Sequence, residues 1–170
     1  MTDRHNALTP LLDAWDRNNV ILTNLLWSLP AEGLTLRLLP DSPSVGQLFT
    51  HIHFVRLVFV YEDAREFAQP VPAEEWQDEH DPERIAAMLA HSAQVVRRAV
   101  EGRLNAGQDM DVHYDHPILF VEHMLWHEGY HHGQIKMTLK ALGLPLDDEV
   151  IGPLTWGVWM RKTTGSASGT

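Results

Sequence analysis

The segment His123-Met124-Leu125-Trp126-His127-Glu128-Gly129-Tyr130-His131-His132-Gly133-Gln134-Ile135 gathers four of the chain's eleven histidines. Residues four apart on a helix lie one turn above each other, so His127 and His131 can aim two imidazoles at one ion. His123 extends the row by another turn, whereas His132 is rotated by about 100° from His131 and cannot fully share it. Neutral imidazole suits zinc, nickel, copper and iron. Two ligands on one helix do not complete a site. A second helical stretch offers His51 and His53, and because these are two apart only one can face a common interior point. A structural reading, in which the histidines are merely exposed or hydrogen-bonded, stands beside the metal reading. The apolar setting of the row and the further histidine one helix away favour the metal.

The remaining polar residues of this region take quieter roles. His53 reads as a surface or partner-facing residue, His123 as a pocket residue and His132 as a packing or hydrogen-bonding one. His5, His80, His91, His113 and His116 lack ligand spacing and read as solvated. His127-Glu128-Gly129-Tyr130-His131 also satisfies the HExxH pattern of zinc peptidases, in which the glutamate is the general base. No strand pattern offers an edge for an extended peptide, and no histidine follows His132. Glu128 therefore reads as a solvated helix-surface acid. With His123 it is nonetheless a candidate catalytic group, because nothing else near the site could move a proton. Three histidines would leave a coordination position open, as in catalytic sites.

Four helical patterns must carry these residues. Thr9-Pro10 opens the first, with a cap followed by proline, and Leu11, Leu12, Trp15, Leu22, Leu25, Leu26 and Leu29 recur until Pro30. Ser44 and Gln47 form a capping box for the second, which runs to about Phe67 before Pro70 and Pro72. Asp81-Pro82-Glu83 opens the third, ended by Gly102 or Gly107. The fourth begins near Asp115 or His116 and runs to Leu142, with Gly143 at its cap. It is apolar on more than one face, the mark of a helix enclosed on all sides. No sustained period-two alternation appears, so the expectation is an all-α, single-domain bundle over residues 1–170, antiparallel or crossover, with a C-terminal tail packed on it. Trp156 and Trp159 should anchor that tail, Asp147-Asp148-Glu149 should be a solvated turn, and Gly46 and Gly133 should be close-packing points.

Composition narrows the partners. The absence of cysteine excludes disulfides, thiolate metal sites and cysteine nucleophiles, and it suits a reducing cytoplasm. A net charge of −10 repels a phosphate backbone, and Arg97, Arg98 and Arg103 read as a solvated helix face, so nucleic acid is not an expected partner. No apolar signal core or membrane-length run is visible, so no membrane partner is expected either.

Ser44-Val45-Gly46-Gln47-Leu48-Phe49-Thr50-His51, with the His127–Ile135 segment and the closing Leu139-Lys140-Ala141-Leu142-Gly143, resembles the DinB family of metal-binding bundles. The resemblance implies a four-helix bundle, up-down-down-up or similar, holding one divalent metal through His51, His127 and His131. Zinc or nickel is the expected ion, with iron or copper as alternatives, and His53 remains a candidate for the third ligand. It also implies a frequent homodimer and a small-molecule ligand or thiol, since some relatives are thiol-dependent transferases or isomerases. The reactions expected are transfer of a small thiol or hydrolysis. A non-catalytic metal-binding protein is the alternative. Trp126, just before the first motif histidine, should narrow the pocket.

Overall fold

The computed structural model describes residues 4–160, with side chains from Leu8 onward, so His5 lies outside the described side chains. Four long helices, α1 (Arg4–Trp27), α2 (Val45–Asp63), α3 (Pro82–Ala106) and α4 (Pro117–Ala141), are followed by the short α5 (Asp148–Leu154) and α6 (Trp156–Met160). The described residues contain no strand, only one isolated bridge between Arg37 and Ser44.

Most boundaries follow local chemistry. The Ser44–Gln47 capping box forms as the sequence implies. Asp81 accepts from the Glu83 N–H at 2.9 Å, and His116 caps α4 through Nδ1. Gly107, at φ 67°, ends α3 in the left-handed region where a Cβ is costly. Two ends differ from expectation. α1 begins at Arg4, so Pro10 lies inside it rather than in its first turn and forfeits the one backbone bond its missing N–H would make. α2 stops at Asp63, where the buried carboxylate turns to the N–H groups of Val112 (3.0 Å) and His113 (2.7 Å).

Cross-helix pairs set the direction of each helix. Trp15 meets Ala93 and Leu12 meets Arg97, so α1 and α3 are antiparallel. His53 meets Met88, Arg56 meets Ser92 and Glu66 meets Arg103, so α2 and α3 are parallel. Arg56 meets Glu128 and His51 comes beside His131, so α2 and α4 are antiparallel. The bundle is therefore up-down-down-up. A parallel α2–α3 pair needs a connection that returns along the bundle. Residues 64–81 make that return, and they carry Glu75 and Trp76 to the histidines.

The core is divided. One apolar cluster contains Trp15, Val96, Val100 and Phe120; the other contains Leu25, Phe49, Leu89 and Ile135. Between them lies a polar layer of Asn18, Arg56, Ser92 and Glu128, all buried.

Several surface expectations need correction. Arg103 is buried rather than solvated and is clasped by Glu66 and Asp111. Asp147 caps α5, with Asp148 and Glu149 in its first turn, where acids suit the helix dipole. The tail is held by buried Ile151 and Val158 and by Arg17 donating to the Val158 carbonyl; Trp156 is 68% exposed and Trp159 is exposed. Gly46 is tightly packed, since a Cβ there would stand 2.5 Å from the Glu79 carbonyl oxygen, but Gly133 faces open space. α4 is not enclosed by its own bundle, because Trp126, Tyr130 and Met137 leave one face exposed.

Candidate metal centre

α2 and α4 bring His51, His127 and His131 together with one ring nitrogen each within 4.8 Å of the others. His127 Nε2 lies 3.2 Å from His51 Nε2 and 3.0 Å from His131 Nε2. Two nitrogens bound to one zinc-like ion at about 2.0–2.1 Å, in a tetrahedral arrangement, sit about 3.3 Å apart, close to these spacings.

The neighbours of these rings fix where their protons sit. Gln134 Oε1 is 2.7 Å from His131 Nδ1, while the same amide donates to the Tyr130 hydroxyl at 3.1 Å. Its oxygen must therefore accept, so His131 carries its proton on Nδ1. Glu75 Oε1 is 2.8 Å from His51 Nδ1, off the line of a good hydrogen bond, and a carboxylate can only accept. His51 thus also keeps its proton on Nδ1. Both rings direct Nε2 lone pairs at His127, which can donate to at most one of them. The other nitrogen pair is repulsive unless a cation stands among them.

A shared proton does not resolve the conflict easily. Burial, then the neighbouring His131 and His51, hold His127 down to about 3. Burial also lowers His51, against the pull of Glu75, and lowers His131. All three are neutral near pH 7, the form that ligates metals. The donor set fits a divalent transition-metal ion.

Other candidates take different places. His53 is not at the surface and does not join the triad: it is buried with Nδ1 donating to the Met88 carbonyl at 2.7 Å, and burial pushes it down to about 4. Glu128 is not solvated. Only 1% exposed, it receives Arg56 Nε at 2.6 Å and Nη2 at 2.8 Å, together with the Asn18 amide. One residue past His127, it is turned by about 100° into the polar layer. His123 lies beside the triad, its ring 6.4 Å from that of His127, with Nδ1 2.6 Å from the Tyr114 hydroxyl. Trp126, 70% exposed, packs near His123 and Tyr130 rather than narrowing the triad. His80, His91 and His113 are exposed as expected, His113 also pairing with Asp63 at 2.8 Å, whereas His116 caps α4. His132 is half-buried, with its Nε2 unpartnered among the described residues.

Sequence reasoning missed Glu75 and Trp76, whose indole stacks on His51 with centroids 4.1 Å apart and planes 3° from parallel. They lie in a loop without periodicity, where no pattern marks them. Arg56 was findable. A lone arginine amid Phe54, Val55, Leu57 and Val58 has to find a buried partner.

The sequence profile of the DinB superfamily matches residues 14–135. The chain belongs to the DinB superfamily. No curated protein matches it. A crystal structure from Exiguobacterium sibiricum 255-15, described as a candidate DinB-family member, is 21% identical with a TM-score of 0.56. The alignment covers 86% of this chain and 97% of that one. At that identity the likeness bears on the fold alone. No described helix is long and apolar enough to cross a membrane.

Proposed function

We propose that this DinB-superfamily protein binds one divalent transition-metal ion, zinc or nickel, through His51, His127 and His131. With it the protein transfers a small thiol to an electrophile or hydrolyses a small molecule. The observation that carries the reading is the convergence of three Nε2 atoms, two with protons committed to Nδ1 by Gln134 and Glu75. Such an ion supplies Lewis acidity and lowers the pKa of a bound thiol or water.

The chain's own residues position and wall the site. Trp76 fixes the His51 ring from one side, and Glu75 and Gln134 set the tautomers of two ligands. Tyr114, raised to about 12 chiefly by burial, keeps its proton near pH 7, and its hydroxyl holds His123 by a 2.6 Å hydrogen bond to Nδ1. Glu128, committed to Arg56, is not available as the base that an HExxH peptidase requires.

A non-catalytic metal-binding role is the second reading. It is favoured by the lack of a free carboxylate at the triad among the described residues, since Glu75 faces His51. Elemental analysis of untagged protein beside His127→Ala, followed by thiol transfer from glutathione or cysteine to a chromogenic aryl halide, tests both. Near one equivalent of metal in the parent, little in the variant, and turnover lost on chelation support the enzyme. Metal without turnover supports the binding protein. No metal in either, even after incubation with zinc or nickel, overturns both readings.

A further inference from the structure

A second concave site lies on the other side of α4 from the triad. Gly129 follows His127 by two residues, a rotation of about 200°, and His132 follows it by five, so both face away from the three ligands. There α1, α4 and the C-terminal α5–α6 pair enclose a cleft of about 400 Å³, whose lining includes Asn18, Ile21, Gly129, His132, Trp156 and Trp159. That volume falls within the range of small-molecule sites, which are mostly apolar with a few polar groups.

Three features point to a ligand. Trp156 and Trp159 remain exposed although they lie against the bundle, offering aromatic surface that the fold itself does not bury. His132 Nε2 is buried without a partner among the described residues, a cost that a ligand's hydrogen bond would offset. A Cβ built on Gly129 meets nothing within 4 Å, so the space above this helical glycine is open. Among the described residues, none lining the cleft is an acid, a lysine or an arginine, which favours a neutral occupant.

From this geometry we infer that the cleft binds a neutral, planar aromatic molecule of one or two rings carrying one hydroxyl or N–H group. The rings lie against the indoles and the polar group bonds to His132. The site is separate from the triad and does not depend on the metal reading.

N-methyl-1-naphthylamine, which is neutral near pH 7 and has two fused rings and one N–H, serves as the probe, read by fluorescence enhancement on the full-length protein. Saturable one-to-one binding is expected. Displacement by 2-naphthol should be stronger than by naphthalene, which has the same rings without the hydroxyl. Gly129→Leu should fill the open space and weaken binding at least tenfold. Leucine has the higher helix propensity and its Cβ meets nothing within 4 Å, so this variant should fold, as circular dichroism can check. His132→Leu should lose about three- to tenfold, the worth of one hydrogen bond. His127→Ala should bind like the parent. Absence of saturable binding, including the case in which residues 161–170 fill the cleft themselves, overturns the inference. So does binding that survives Gly129→Leu, or binding that is lost in His127→Ala.

Discussion

Replacing Glu128 separates an architectural role from a catalytic one. Its carboxylate accepts two bonds from Arg56 and one from Asn18, with both partners of the ion pair fully buried. In Glu128→Ala the guanidinium keeps Nη1 on Asn19, on the Leu89 carbonyl and near Ser92, and it keeps Trp15 4.8 Å away. Its charge, however, loses its counterion in a layer sealed by apolar clusters. Breaking a buried pair from one side costs about 3–5 kcal/mol. With a urea slope of about 2 kcal/mol/M, the unfolding midpoint should fall by about 1.5–2.5 M. The double variant Arg56→Met/Glu128→Leu should recover most of that loss, because removing both charges removes the uncompensated one. Urea unfolding followed by circular dichroism measures both, and metal content is measured below the transition. The Glu128 side chain turns away from the triad, so the metal should still bind, though more weakly, wherever the variant is folded. A Glu128→Ala midpoint within about 0.3 M of the parent, with metal retained and turnover abolished, would refute the argument and restore a catalytic base.

Two further outcomes follow from the groups around the triad. Glu75→Gln should weaken metal binding about 10–100-fold in competition with a chromophoric chelator, because the outer partner of a ligating imidazole sets its orientation and basicity; unchanged affinity would mean that Glu75 does not hold His51. His53, near 4 when folded and 6.5 when free, is neutral in the core, so between those values the unfolded chain binds more protons. Its contribution to stability is full above pH 6.5 and is lost as pH falls towards 4. The metal-free protein should show that slope in urea midpoints, and His53→Gln should reduce it, the remainder coming from His51, His127 and His131.

What could be read in the sequence was whatever local chemistry determines. Ser44 with Gln47, Asp81 with Pro82, and Gly107 and Gly143 mark helix ends because their effects act within four residues. The spacing of His127 and His131 gave their shared face for the same reason. What could not be read was direction and depth. His53 looks no more buried than His51 until α3 supplies the Met88 carbonyl, and Glu128 looks solvated until Arg56 is brought from another helix. Trp76 and Glu75 reach the site only because α2 and α3 run parallel and force the long return of residues 64–81. Composition and periodicity carry no information about that direction.

The polar layer and the triad depend on each other through α4. His127 and Glu128 are about 100° apart around the helix, so fixing one fixes the other. Once Arg56 captures Glu128 with two parallel bonds, α4 can neither rotate nor slide by a residue without stranding a buried charge. That constraint holds His127 facing α2 at the height of His51. An apolar pair at 56 and 128 would tolerate such slippage more readily, since apolar contacts have no preferred direction. The buried ion pair can therefore be understood as a register pin, and its effect should reach the site as geometry rather than as stability. In the stable double variant Arg56→Met/Glu128→Leu, the metal should still bind but more weakly, because the ligands are no longer held in place. Equal affinity in the parent and the double variant would show that packing alone sets the register.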